Sequence, residues 1–436
     1  MSAHDSRNDG PAPRIVSVDT LRGLTILLMV FVNDLGAAAP AWMHHIQPPD
    51  ADGMTLADIV FPLFLFIVGM SIPLAVATAR DRGDSRAKTF RHVLSRTLGL
   101  LVMGLVSVNR SAITSLSPQL WGLLCYLSIL LAWCVVPRSE GRRRTTFFIF
   151  KTTGVIGLLI LFAVYRREPV TTEVLFVGEV ENWTWLRSQW WGILGLIGWA
   201  YLVAATVFLL IGRRREWMAV AAGLLMTSFV VARSGGFFAR VDDKTWLSPA
   251  APFMDMLQYV LESVDQYVSL SSQLGSLPSI VVCGMLLGSI LCRDSDVCTP
   301  SDRIRWALVY ALLLFVAGAM TDAVAGVNKI AATPTWCFWC SSLAVLIWTL
   351  LYWIMDVRQW TTWTVPFAAA GAHPLIAYLL HPILLFVLSL TGTSVWLRSY
   401  AASDSAAVAI LGSFVMATVV CALTAAIAKA GLRVRI

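Results

Sequence analysis

Two adjacent histidines, His44 and His45, sit in a short polar loop between two apolar runs. Asn33 closes the first run and Asp58 opens the second. An imidazole titrates near neutral pH, so it can act as a general base or accept an acyl group. A nearby acid can orient it and raise its basicity, as the carboxylate of a triad does. The Asn33 amide can hold a carbonyl or an oxyanion. The histidine doublet lacks metal-ligand spacing and points to no metal. Each residue also has a plainer use. A loop histidine can simply bond to backbone, and Asn33 can end a helix near Gly36. Thr55-Leu56-Ala57-Asp58 reads as a capping box with Asp in place of Glu.

Further polar groups lie deeper in the chain. Asp19 and Arg22, three apart, can pair on one helix face. Arg22, Arg80, Arg82, Arg91 and Arg96 form a basic set able to receive nucleotide phosphates, although no Gly-rich phosphate loop accompanies them. His373 and His381, eight residues apart, would share a helix face two turns apart. A charged imidazole in lipid is costly, so both are expected neutral and turned to the interior.

The elements that position these groups follow from composition. The 436 residues are 57% hydrophobic and 14% charged, where a soluble chain carries about 25% charged residues. Twelve apolar runs recur, roughly at 20–38, 57–78, 93–109, 119–137, 146–164, 190–211, 217–232, 278–292, 305–322, 336–355, 366–390 and 407–429. The fold class expected is all-α, a polytopic transmembrane bundle of about 12 spans (10–12). The eighteen tryptophans suit membrane interfaces. The net charge of +7 would raise nucleic acid in a soluble chain. Here the basic residues cluster in alternate loops, at Arg80–Arg96, Arg138 with Arg142–Arg144, Arg213–Arg215, Arg293–Arg305 and Arg358, with Arg14 and Arg22 at one end and Lys429, Arg433 and Arg435 at the other. That pattern is topological, so no nucleic-acid partner is expected, and it puts both termini in the cytoplasm of a multi-pass inner-membrane protein. Residues 1–13 read as a disordered cytoplasmic tail rather than a cleaved signal, and 14–436 as one transmembrane domain. Of eight cysteines, six lie in apolar runs. The Cys337-x-x-Cys340 pair among them reads as filler rather than as a metal or redox site. His44 and His45 then fall in the first outward loop, across the membrane from soluble cofactors such as acyl-CoA.

The order of motifs resembles a known family. Ser17-Val18-Asp19-Thr20-Leu21-Arg22-Gly23, Val32-Asn33 and Asp52-Gly53-Met54-Thr55-Leu56-Ala57-Asp58-Ile59-Val60-Phe61-Pro62 are similar to the signature of the membrane-bound heparan-alpha-glucosaminide N-acetyltransferase family. Gly275–Ile280, Val327-Asn328-Lys329, Thr333–Trp336, Tyr352–Asp356 and a final GAHPLIAYLLHP with Tyr378 and His381 continue the match. The resemblance implies transfer of an acetyl group from cytosolic acetyl-CoA to an amino sugar or glycan on the far side of the membrane. It implies His45 as the catalytic histidine, with Asn33 and Asp58 beside it. Arg22, Arg80, Arg96 and His381 are then the expected cofactor contacts, acetyl-CoA the co-substrate without a metal, and a homodimer among lipids the expected assembly. The competing expectation is a carrier or exporter of a sugar- or lipid-linked substrate, since twelve spans and Gly/Pro-broken helices suit transport. No internal repeat and few intramembrane acids support it.

Overall fold

The structure is a computed structural model and describes residues 15–136, 141–174, 178–233 and 251–435. The expected tail at 1–13, and Arg14 and Arg138, lie outside these. Fifteen helices follow in order among the described residues. They are α1 (Val16–Asn33), α2 (Leu56–Asp81), α3 (Arg86–Asn109), α4 (Pro118–Ala132), α5 (Arg142–Ala163), α6 (Gly192–Ile211), α7 (Arg215–Arg233), α8 (Ala251–Asp265), α9 (Leu277–Ser289), α10 (Pro300–Ala325), α11 (Pro334–Tyr352), α12 (Val365–Ala372), α13 (Pro374–Leu390), α14 (Ser394–Leu397) and α15 (Ala406–Lys429). A Ser or Thr followed by Pro opens α4, α10 and α11. Ser117 accepts from Leu120 N–H at 3.2 Å and Thr299 from Asp302 N–H at 3.1 Å. Proline is tolerated there because the first-turn N–H it lacks has no helical partner anyway.

Among the described residues ten helices are long and apolar enough to cross a membrane, or up to eleven if α12 and α13, bent by 84°, form one broken span. The chain is a multi-pass helical membrane protein. The span of α9 reaches that length only with the π-helical turn Ser272–Ser276 before it, Ser272–Ser289 being 18 residues. The expected fourth span is the exception. It folds as α4, a helix of 15 residues, which at about 1.5 Å per residue falls short of a hydrocarbon core of about 30 Å. The break between α12 and α13 falls at His373, so His373 and His381 do not share one continuous helix. Between the runs expected at 146–164 and 190–211 two strands pair, β1 (Val170–Val174) with β2 (Gly178–Trp183), and between those at 217–232 and 278–292 lies α8.

Helix α9 is the axis of the bundle, with every residue buried. It meets α2 backbone to backbone. A Cβ on Gly69 would stand 2.0 Å from the Val281 carbonyl oxygen, and one on Gly284 2.0 Å from that of Phe66. Only glycine permits this approach, as in small-residue packing of membrane helices. The outward faces of α5 and α10 carry exposed Ile, Leu, Val and Phe, the surface a lipid-embedded helix presents.

At one end of the bundle the 34–55 loop docks onto the turn after α10. Gly53 N–H donates to the Val327 carbonyl at 2.7 Å, and Val327 N–H to Asp52 at 2.6 Å. The Asn328 amide donates to the carbonyls of Pro49 and Ala51 at 2.9 and 3.1 Å. At the opposite end lie the basic turns. Arg213 and Arg215 leave the α6–α7 turn to pair with Asp294 and Asp296, and Val16 and Ser17 N–H donate to Asp356 at 3.0 Å each.

Candidate active site

Asp58 is the third residue of α2, and its carboxylate has two edges in use. Oδ2 receives Thr55 N–H at 3.2 Å, closing the capping box, together with Ile46 N–H at 3.1 Å and the Thr55 hydroxyl at 2.9 Å. Oδ1 faces His45 Nδ1 at 2.8 Å. The carboxylate is an acceptor only, so the proton of that contact sits on Nδ1 and the Nε2 lone pair is left free. The Asp58 side chain is 1% exposed, whereas that of His45 is 48% exposed. The imidazole is thus gripped on its inner edge and open on its outer one. His44 turns elsewhere. Its carbonyl contacts the Thr55 hydroxyl, and its Nε2 is buried without a hydrogen-bond partner among the described residues.

A third charged group completes the arrangement. Lys329, brought in by the docked turn after α10, places Nζ 3.1 Å from His45 Nδ1 and 3.6 Å from Asp58 Oδ1. Burial lowers its affinity for a proton below the usual lysine value, and the Asp58 charge works in the other direction. The ammonium balances the buried carboxylate that holds His45. Its nearness in sequence terms is nil, since 284 residues separate it from His45. The hint available was the segment Val327-Asn328-Lys329 itself.

His45, Asn33 and Lys329 border a cavity of about 150 Å³ that runs inward between α1, α2, α3, α6 and α13. Ile26, Phe61, Phe64, Leu100 and Ile197 form its apolar wall, and Tyr378 and Arg96 are the polar groups farther along it. Its α2 wall runs from Ala57 to Val68, which at the helical rise is about 16 Å of depth. The Arg96 guanidinium carbon lies 4.7 Å from the Tyr201 ring centroid, a cation–π distance.

The other residues singled out in the sequence lie apart from this shaft. Arg22 bonds to Asp19 and Ser71 at 2.9 Å each, and to the Gly371 carbonyl at 3.4 Å, so it braces α1 against α2 and α12. Arg80 is exposed at the basic end. His381 is buried with Nε2 3.6 Å from Asp34. Asp34 also binds Arg398 at 2.8 Å and the Tyr400 hydroxyl, tying the α14 segment to the end of α1. Of the four expected cofactor contacts, only Arg96 lines the cavity. Among the described residues no group of three or more His, Cys, Asp or Glu is placed to hold a metal ion.

The chain is thus a multi-pass helical bundle with an Asp–His–Lys cluster at the mouth of an apolar shaft. Residues 14–233 match the family described as a domain of unknown function (DUF5009), and the chain belongs to that family. It is also similar to the heparan-alpha-glucosaminide N-acetyltransferase of Homo sapiens, 27% identical over 384 residues that cover 85% of this chain and 53% of that protein. The Mus musculus protein of the same name is 26% identical over 380 residues, covering 86% and 54%. The chain spans about half the length of the curated relatives it matches.

Proposed function

We propose that this chain is a transmembrane acetyltransferase that carries an acetyl group from acetyl-CoA to an amino sugar or glycan across the inner membrane. The observation that carries the reading is the apolar shaft leading from Arg96 to the free edge of His45. The distant similarity to N-acetyltransferases supports it. The basic end of the bundle would face the cytoplasm, by the positive-inside rule. An acetylated thiol arm would enter the shaft from that side. The acceptor would meet it at the mouth beside His45. There His45 Nε2 takes the proton of the attacking amine or hydroxyl as the new bond to the acetyl carbon forms. The carbon–sulfur bond breaks, and the proton passes to the departing sulfur. Asp58 holds the imidazole in the required tautomer, and the Asn33 amide faces the developing oxyanion.

The test is acetyl transfer by the purified protein, with acetyl-CoA as donor and glucosamine as trial acceptor. Loss of the general base should lower turnover about 10²–10⁴-fold in His45→Ala. Wild-type turnover retained in full by His45→Ala would overturn the assignment of the base. No turnover in the wild type, with no stabilisation by acetyl-CoA, would point to transport instead.

A further inference from the structure

A second cleft, of about 500 Å³, opens at the basic end between the start of α3 and the α6–α7 turn. Arg86, Arg213 and Arg214 line it together with Leu210 and Trp217. The Arg213 guanidinium is engaged by both oxygens of Asp294, which hold it at the rim. The Asp294 carboxyl accordingly lies below the usual carboxylate range. The guanidinium groups of Arg86 and Arg214 have no hydrogen bond or ion pair to any described side chain. The nearest acid in sequence to Arg86 is taken up, since Asp84 pairs with Lys88 at 2.5 Å and Arg82 at 3.4 Å. Two planar cations with no protein counter-charge thus face one cavity, a pair whose donors match the oxygens of a phosphate. Beside them Leu210 is 76% and Trp217 55% exposed, so the anion's neighbour is an apolar wall. Helices α3 and α7 both begin here, adding first-turn N–H groups that favour negative charge.

We propose that this cleft is a binding site for a phosphate-bearing amphiphile, its phosphate between Arg86 and Arg214 and its apolar part on Leu210 and Trp217. The phosphate has two sources with this chemistry. One is the headgroup of an anionic phospholipid whose chains continue past exposed Leu210 and Trp217. The other is the bisphosphate nucleotide end of coenzyme A, its adenine stacked on Trp217. The lipid arm stands whatever the chain catalyses, and only the nucleotide arm rests on the acetyl-transfer reading.

Direct binding tests the site without turnover. The full-length protein in detergent is titrated by calorimetry with dioctanoyl phosphatidylglycerol, with adenosine 3′,5′-bisphosphate, and with dioctanoylglycerol, which lacks phosphate. The expected result is saturable binding of at least one phosphate probe, weakened about tenfold or more in the double variant Arg86→Gln, Arg214→Gln. Phosphatidylglycerol alone would mark a lipid site, and the bisphosphate alone a nucleotide site. Both residues are exposed and leave no partner behind, so the variant should fold, and its melting temperature confirms that. The proposal is overturned if neither phosphate probe binds saturably, if the double variant binds as tightly as the wild type, or if dioctanoylglycerol binds equally well.

Discussion

The Asp58 carboxylate offers the most discriminating perturbation, because Asp58→Asn changes one atom and forces a choice. The new amide must present its NH2 on one of two edges. Toward the cap it would face Ile46 N–H and Thr55 N–H, donors now 3.1 and 3.2 Å from Oδ2. That orientation loses two hydrogen bonds of about 1–1.5 kcal/mol each. The other orientation keeps the cap and points NH2 at His45 Nδ1, where the present contact is 2.8 Å. The imidazole must then accept on Nδ1 and carry its proton on Nε2, which removes the base. A preference of about 2–3 kcal/mol leaves the productive tautomer in about 1 part in 30–150, so acetyl transfer should fall by that factor. Initial rates of acetylation by purified wild type and Asp58→Asn, compared at equal folded fraction from a thermal melt, measure it. Activity within about threefold of wild type, or a melting temperature that collapses with the activity, would refute the tautomer argument.

Other perturbations bear on the packing and the charge balance. Gly284→Ala places a methyl against the Phe66 carbonyl and should destabilise by about 1–3 kcal/mol or more. The control Gly223→Ala, inside α7, meets nothing within 4 Å and should hold or raise the melting temperature, since Ala favours a helix by about 0.5–1 kcal/mol, so equal melts for the two would refute the close-packing account. Burial lowers the proton affinity of Lys329, so its charge is lost as pH rises through a value below the usual 10.5. Transfer should therefore decline on the alkaline side, and Lys329→Arg, whose cation persists to higher pH, should carry that limb upward. An unmoved limb in a folded variant would remove Lys329 from the mechanism.

Local features of the site could be read from the chain, and distant ones could not. Thr55 and Asp58 carry their capping pattern within four residues, and Asp19 and Arg22 sit at a helical spacing that the fold uses as expected. Apolar run lengths located the helices, because span length is imposed by the bilayer. Lys329 stands out in the sequence only as part of the segment Val327-Asn328-Lys329. Its place beside His45 depends on Asn328 and Val327 docking onto residues 49–53, a tertiary contact that no local pattern encodes. Arg22 and His381 were expected at a cofactor because of charge and motif. In the fold Arg22 bonds to Asp19 and Ser71, while His381 stands 3.6 Å from Asp34 with no hydrogen bond to its Nε2 among the described residues. The paired strands Val170–Val174 and Gly178–Trp183, and α8, leave no long apolar run to announce them, although Val-Thr-Thr-Glu-Val has strand-forming residues.

The glycine contact between α2 and α9 has a bearing on motion. With Gly69 and Gly284 seated against opposing carbonyls, the two helices have no slack in which to slide and must travel as one plank. That plank carries Asp58, and with it the grip on His45. The shaft beside it, at about 150 Å³, is narrower than the ~300–1,000 Å³ of ordinary small-molecule sites. Across the shaft α13 starts afresh at the break after His373 and contributes Pro374, Leu375 and Tyr378, outside that lock. The wall that grips His45 and the wall that begins at the break are therefore carried by different helices.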